Sequence, residues 1–326
     1  MICILSPEIK PAFNIASEEY LMKNFDEDVF LLYRNAPSII IGKHQNTLSE
    51  INIDYVKENN IEIVRRLSGG GAVFHDLGNL NFGFIKIGEN TNLVDFKKFT
   101  LPIIDVLQKL GINARFEGRN DITIDGKKFS GNAEHVYKNK VLHHGTLLFS
   151  SKMGDLSKAL NVNPRKFRDK AVKSVRSRVT NIKEHLGKDM TVEEFAEMLM
   201  DDIMKLNPQS KRYEYNETDK AAIQELVEKK YSTWEWNFGY SPKYNFSKFL
   251  ATQGGHIEVN LDVENGIINN ARFYGDFFSS KDIGEIEKAL MGIPHNEVKV
   301  REVLEQYNIS QYFNKVKLDE LVSSLF

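Results

Sequence analysis

The sequence predicts an α+β chain in two parts. Over the first 150 residues, β-branched and aromatic runs alternate with helical patterns, and Asp125-Gly126 and Lys138-Asn139 mark hairpins. From Asp155 the pattern turns helical. Beyond the Ser241-Pro242 turn, fresh strand, hairpin and helix patterns begin, which places a large domain at 1–246 and a small α+β domain at 247–326.

Taken in order, residues 2–5 read as a strand, and Asn14 as the N-cap of a helix over 15–25 with Glu18 and Glu19 in its first turn. Strands follow at 30–33, 38–41 and 61–66, with a helix at 53–58 between the last two. The alternation over 79–87 predicts another strand. A helix over 96–110 puts Ile103, Ile104, Leu107 and Leu110 on one face and stops at Gly111. A run of strands starts at Ala114. Thr191 with Glu194 forms a capping box for a helix to 206, and another helix spans 218–231. The small domain contains a hairpin around Asn265-Gly266 and helices near 281–291, 296–306 and 317–325.

The 326 residues are 41% hydrophobic and 27% charged with a net charge of −2, which gives no sign of general nucleic-acid or membrane binding. One cysteine, Cys3, excludes an intrachain disulfide framework and fits a reducing compartment. The N-terminus lacks a basic n-region, and no stretch has the ~20 apolar residues of a membrane span, so the expectation is a cytoplasmic protein.

Residues 65–82 read R-R-L-S-G-G-G-A-V-F-H-D-L-G-N-L-N-F. Gly69, Gly70 and Gly71 lie between two strand candidates, where missing Cβ atoms let backbone amides approach a ligand. Ser68 adds a hydroxyl, and Arg65 or Arg66 a planar cation suited to carboxylate or phosphate oxygens. The combination reads as an anion-binding turn between two strands. No Lys-Ser or Lys-Thr follows the glycines as a Walker loop requires, and Phe74 stands where a dinucleotide fingerprint needs glycine. A bare glycine triplet is more often a flexible surface loop, but strands on both sides would hold this one rigid.

Residues 65–82 resemble the signature of the lipoate–protein ligase A family. G-R-N-D-I at 118–122, K-F-S-G-N-A at 128–133 and H-H-G-T-L-L at 143–148 continue the resemblance in the same order. It implies a mixed-sheet catalytic domain of the biotin/lipoate ligase, class II synthetase-like type, with a small accessory domain. The implied reaction activates lipoate with ATP and Mg2+ to lipoyl-AMP. The lipoyl group then passes to a lysine of a lipoyl-domain acceptor, an acyl-dehydrogenase E2 subunit or the glycine-cleavage H protein.

Lys127 and Lys128 point to opposite faces of a strand, and the resemblance selects Lys128 as the catalytic residue. It implies an adenylate and lipoate site of Arg66, Ser68, Gly69, Gly70, Gly71, Ala72, Val73, Phe74, His75, Asn79, Asn120, Asp121, Ser130, Gly131 and His144. Asp121 could hold magnesium or a ribose, and His75 could orient the loop or simply be buried. The basic run over 165–178 fits a docking face for an acidic acceptor domain. Two departures stand out: Glu134-His135 replaces an aromatic and an arginine, and Tyr33 replaces a tryptophan of some members. Rival readings are an ATP-independent lipoyl or octanoyl transferase of the same superfamily and a non-catalytic module that binds lipoylated domains.

Overall fold

The computed structural model describes residues 1–88, 96–118, 120–160, 167–169, 178–253, 255–275, 277 and 279–326. The expected basic docking face at 165–178 lies outside them, apart from residues 167–169 and 178. In chain order the elements are β1 (Ile2–Leu5), α1 (Pro11–Asn24), β2 (Val29–Arg34), β3 (Ser38–Ile41), α2 (Thr47–Glu50), α3 (Ile53–Glu58), β4 (Glu62–Arg65), β5 (Val73–His75) and β6 (Asn79–Ile87). Then come α4 (Phe96–Lys109), β7 (Ala114–Glu117), β8 (Asp121–Ile124), β9 (Lys127–Tyr137), β10 (Lys140–Leu148), α5 (Met153–Ala159), β11 (Phe167–Asp169), α6 (Val192–Leu206), β12 (Lys211–Arg212) and α7 (Glu217–Leu226). The C-terminal elements are β13 (Tyr244–Thr252), β14 (Gly255–Glu264), β15 (Ile267–Gly275), α8 (Gly284–Leu290), α9 (Glu297–Leu304), α10 (Ile309–Tyr312) and α11 (Leu318–Ser324).

Two compact units divide the chain, and neither is one continuous segment. The first contains residues 1–43, 59–160 and 174–233, and the second 44–58, 161–173 and 234–326. The first is built on an eight-stranded sheet of order β12-β1-β2-β6-β10-β9-β8-β7. β12, β1 and β2 run parallel and every later neighbour antiparallel, which makes the sheet mixed. One face carries Phe30, Leu32, Phe82, Phe129, Leu147 and Phe149, packed with Ile103 and Leu107 of α4 and Phe195 and Leu199 of α6. Each fully buried side chain of this size contributes about 1.5–3 kcal/mol.

The opposite face belongs to α1. Gly83, paired with Leu31 and His144, lies on that face and brings its backbone close to Glu18 of α1. The helix begins at Pro11 rather than behind an Asn14 cap, since proline suits a first turn whose N–H groups need no helical partner. Asn14 instead sits inside the helix, donating to the carbonyls of Glu8 at 2.8 Å and Arg34 at 3.0 Å. Glu18 and Glu19 are consequently buried mid-helix. Burial pushes the Glu19 carboxyl up, but hydrogen bonds from Lys23, Lys230 and Tyr231 outweigh it and bring the pKa down to about 2.

Asp125 (φ 49°) and Gly126 (φ 70°) turn β8 into β9 with both residues in the left-handed region, as the two-residue hairpin requires. Thr191 and Glu194 form the expected capping box. Residues 61 and 66 fall just outside β4, so the strand is shorter than expected at both ends.

The second unit has a four-stranded sheet of order β11-β13-β14-β15. Asn265 (φ 51°) and Gly266 (φ 73°) turn its hairpin. Phe246, Ile257, Val259, Leu261 and Phe273 are buried in it together with Leu304 and Phe313 of the C-terminal helical segment. Buried His295 accepts from the Tyr244 hydroxyl at Nδ1 (2.6 Å) and donates from Nε2 to the Leu325 carbonyl at 2.6 Å, which ties down the chain end. Residues 44–58 belong here, with the Thr47 hydroxyl donating to the Asn237 carbonyl at 2.5 Å. The junction expected between 246 and 247 falls inside β13. No helix among the described residues is long and apolar enough to cross a membrane.

Candidate active site

A small sheet of order β4-β3-β5 carries the glycine loop, which links β4 to β5. Arg66 anchors it from inside. Its Nε donates to Ser68 Oγ at 2.9 Å, Nη1 to the Ile40 carbonyl at 3.1 Å, and Nη2 to the carbonyls of Gly69 at 2.6 Å and Gly71 at 2.9 Å. A trans peptide plane points its C=O and N–H opposite ways, so drawing the Gly69 carbonyl inward turns the Gly70 amide outward. The amides of Gly69, Gly70 and Gly71 meet no protein acceptor among the described residues. Burial pulls the Arg66 guanidinium down to about 10, against the pull of Glu18 and Tyr33. Arg65 is equally internal, its Nη1 bonded to the carbonyls of Gly42 at 3.0 Å and Lys43 at 3.1 Å. Both cations thus hold backbone in place, and the outward-facing donors are the loop amides.

The loop is sterically exacting. Gly70 has φ +91°, and a Cβ on Gly42 would stand 2.1 Å from the Gly70 carbonyl oxygen. Ala72 and Phe74, which follow the loop, are buried and Val73 is half-buried.

From Ser68 a chain of hydrogen bonds runs across the sheet face. Ser68 Oγ lies 2.5 Å from His144 Nε2, His144 Nδ1 lies 2.8 Å from Glu18 Oε2, and the Tyr33 hydroxyl donates to Glu18 Oε1 at 2.9 Å. Beside it, Asn35 Nδ2 donates to His75 Nδ1 at 3.0 Å, so His75 carries its proton on Nε2, which is buried without a protein partner. Burial, then the nearby Arg66 cation, pull the His75 pKa to about 3, which keeps the ring neutral. Asn79 Nδ2 donates to Asn81 Oδ1 at 2.7 Å, while Asn79 Oδ1 is buried and unpartnered.

Lys128 occupies the same sheet face. A Cβ placed on Gly131 would be 3.0 Å from both Cε and Nζ of Lys128, so the lysine lies across the bare backbone of Gly131. Ala133, two residues on, pairs with His144, and alternation puts Gly131, Ala133 and His144 on one face. The Lys128 ammonium pairs with Asp121 Oδ1 at 2.8 Å and is partly exposed. Lys127 is exposed, away from it.

Asn120 and Ser130 are placed differently. Asn120 Nδ2 donates to the Asn132 carbonyl at 2.5 Å, and Ser130 Oγ accepts from Asn132 Nδ2 at 3.2 Å. Ser130 pairs with the core residue Ile122, so both groups brace the β8–β9 connection.

The unusual Glu134-His135 pair splits across the sheet. Glu134 bonds His143 Nδ1 at 2.8 Å, in a nest where the His143 ring stacks on Phe99 with centroids 5.0 Å apart. His135 turns toward the His144 side. Burial, then the Lys43 cation, lower its pKa to about 4. Sequence reasoning missed Glu18, which it read as a helix-dipole residue. The available signal was that α1 has no clean apolar stripe, since Asn14, Ser17, Glu18 and Glu19 interrupt its apolar residues, so packing it on a sheet must bury and partner some of them. Among the described residues, no three His, Cys, Asp or Glu side chains group as a metal site.

Known proteins are similar to this chain in sequence and fold. Residues 10–204 match the family described as "Lipoyl protein ligase A/B catalytic domain", and residues 241–325 that described as "Bacterial lipoate protein ligase C-terminus". Lipoate–protein ligase 1 of Staphylococcus aureus is 43% identical over 96% of this chain and 95% of its own. The lipoate–protein ligase LplJ of Bacillus subtilis is 43% identical over 97% of each. Among solved structures, LipL1 of P. falciparum in complex with lipoate is similar over 99% of this chain and 98% of its own, at 27% identity and a TM-score of 0.62. A lipoate–protein ligase A bound with ATP is similar over 73% of this chain and 98% of its own, at 28% identity and a TM-score of 0.63. A bi-partite ligase of Thermoplasma acidophilum, studied with its E2 lipoyl domain, is similar over 73% of this chain and 96% of its own, at 28% identity and a TM-score of 0.63. The chain is a ligase enzyme and belongs to the lipoate–protein ligase family.

Proposed function

We propose that the protein activates lipoate with ATP to lipoyl-AMP and transfers the lipoyl group to a lysine of lipoyl-domain acceptors, E2 subunits and the glycine-cleavage H protein. The observation that carries this is the shared sheet face. It holds an accessible lysine laid over Gly131, and the Ser68–His144–Glu18 chain that leads to the glycine-loop amides. A relative bound with ATP, another bound with lipoate and a third studied with an E2 lipoyl domain support the substrates.

The chemistry follows from the charges. Attack of the lipoate carboxylate on the α-phosphate gathers negative charge between two anionic groups. Lys128 neutralises it, while outward amides of Gly69, Gly70 and Gly71 supply fixed donors whose geometry Arg66 sets. Asp121 holds the ammonium in line, and its second oxygen, without a protein donor among the described residues, suits Mg2+, which keeps most of its waters and needs few carboxylates. Bound Mg2+ would screen the phosphate charge. In the second half-reaction the acceptor amine attacks the mixed anhydride and AMP leaves, so Lys128 then stabilises a departing phosphate. The test is lipoate-dependent ATP–pyrophosphate exchange, followed by intact mass of an apo lipoyl domain. Transfer without any exchange would favour the ATP-independent transferase, and no mass gain would favour a binding module.

A further inference from the structure

We propose that Ser68, His144 and Glu18 form a serine–histidine–carboxylate relay that gives this protein a second activity, hydrolysis of activated medium-chain acyl esters through an acyl-serine. The proposal rests on the proposed ligase function, which makes the surroundings of the glycine loop an acyl site. It is carried by geometry. Ser68 Oγ stands 2.5 Å from His144 Nε2, and His144 Nδ1 stands 2.8 Å from Glu18 Oε2. A carboxylate can only accept, so Nδ1 carries the proton and Nε2 offers its lone pair to the serine hydroxyl. Nucleophile, base and orienting acid therefore stand in the order acyl transfer requires, and such a triad is recognised by geometry and roles rather than by sequence position. Here the three residues come from a loop, a strand and a helix.

Two further features separate this from a merely structural hydrogen-bond chain. Arg66 Nε donates to the same Ser68 Oγ at 2.9 Å, so a fixed cation adjoins the oxygen on which alkoxide charge develops. The amides of Gly69, Gly70 and Gly71 follow Ser68 directly and meet no protein acceptor among the described residues, which supplies donors for a tetrahedral oxyanion. The Tyr33 hydroxyl on Glu18 Oε1 fixes the carboxylate that orients the ring.

The step balances. The Ser68 Oγ–H proton passes to His144 Nε2 as oxygen bonds to the acyl carbon. The acyl–oxygen bond to the leaving group breaks, and His144 returns the proton to that group. Water then attacks the acyl-serine, giving its proton to His144, and the carboxylic acid departs as Ser68 regains its hydrogen. In the ligase cycle, the same route would discharge an acyl-adenylate that no acceptor collects.

The experiment uses the full chain with p-nitrophenyl octanoate, followed by absorbance and by intact and peptide mass spectrometry. The expected result is a burst of nitrophenolate up to one per chain and one octanoyl group on the peptide bearing Ser68. Ser68→Ala should remove the adduct, Glu18→Gln and His144→Gln should slow acylation about a hundredfold or more, and Ser68→Cys should restore an adduct as a thioester. A fluorophosphonate probe on the wild-type chain should mark Ser68, which decides the matter even if a variant fails to fold. Wild type that takes neither octanoyl nor phosphonate on Ser68 overturns the relay. Pyrophosphate exchange in the same samples keeps the two ideas apart. Exchange without adduct sinks only the relay, and adduct without exchange sinks only the ATP-dependent reading.

Discussion

Lys128 reaches its position because Gly131 has no side chain. Lys128→Ala should leave the fold intact and lower adenylate formation on the order of a hundredfold or more, as loss of a preorganised charge does. Lys127→Ala, on the exposed side, should change little. Pyrophosphate exchange on both variants checks the pair, and equal losses would remove Lys128 from its role. Gly131→Ala is the sharper probe. Its Cβ would meet Cε and Nζ of Lys128 at 3.0 Å, so the end of the lysine must give way there and its ion pair with Asp121 is disturbed, while the backbone keeps an ordinary strand conformation. We expect exchange to fall at least tenfold with a change in melting temperature of no more than a few degrees. Unchanged exchange would show that the lysine's resting place is immaterial. In the sequence, strand alternation put Lys127 and Lys128 on opposite faces, and the family resemblance chose between them. Nothing there could show that Ser130 and Asn120 turn into the β8–β9 brace, because their neighbours come from the register shift between Ile122 and Thr123.

The glycine loop and α1 show how far local pattern carries at the level of an element. The loop between two strands was legible from Gly69, Gly70 and Gly71 flanked by β-branched runs. Its inner peg was not, since Arg66 looked like a ligand-binding fork and instead binds the carbonyls of Ile40, Gly69 and Gly71. Only tertiary placement decides which oxygens a guanidinium finds. α1 was misplaced at its start because Asn14 has the chemistry of a cap, and the Pro11 signal for a first turn was passed over. The peg makes a prediction. Arg66→Lys keeps a charge but cannot span Ser68, Ile40, Gly69 and Gly71 together, so the variant should melt several degrees lower and lose exchange activity. Hydrogen bonds to a charged donor contribute about 1.5–3 kcal/mol each, and losing two suffices. Gly70→Val should likewise melt lower, because φ +91° strains a β-branched residue even with no ligand bound. Wild-type melting in both variants would mean that the loop is not part of the cooperative fold.

Acid should act on the molecule as a whole. His75 and His295 are buried with folded pKa values brought to about 3 and about 4, in both cases first by burial. An unfolded histidine titrates near 6.5. Below that pH the unfolded chain binds protons that the folded chain refuses, so stability is fully present above 6.5 and is lost as pH falls toward 4. For His295 alone the loss is on the order of 2–3 kcal/mol by pH 4.5. Urea unfolding at pH 7.5, 6 and 5 should show a falling midpoint, and His295→Gln should flatten that slope. A midpoint independent of pH over this range would contradict buried neutral histidines.

The interrupted path of the chain through the two units has a consequence for its synthesis. The segment 44–58 leaves the ribosome early, between β3 and the strand that leads into the glycine loop, yet its own unit is finished only when β13, β14, β15 and the last helices arrive. At ordinary translation speeds that interval is on the order of ten seconds or more. Throughout it Leu48, Ile51 and Val56, buried in the finished protein, have no completed unit to join. The nascent polypeptide must therefore carry these apolar side chains uncovered until its C-terminal strands arrive. A chain cut after Phe249 would leave them uncovered permanently, since the cut also divides β13. Such a truncation should emerge aggregated or chaperone-bound on size-exclusion chromatography, where a soluble, folded monomer would show that 44–58 can settle without the C-terminal strands.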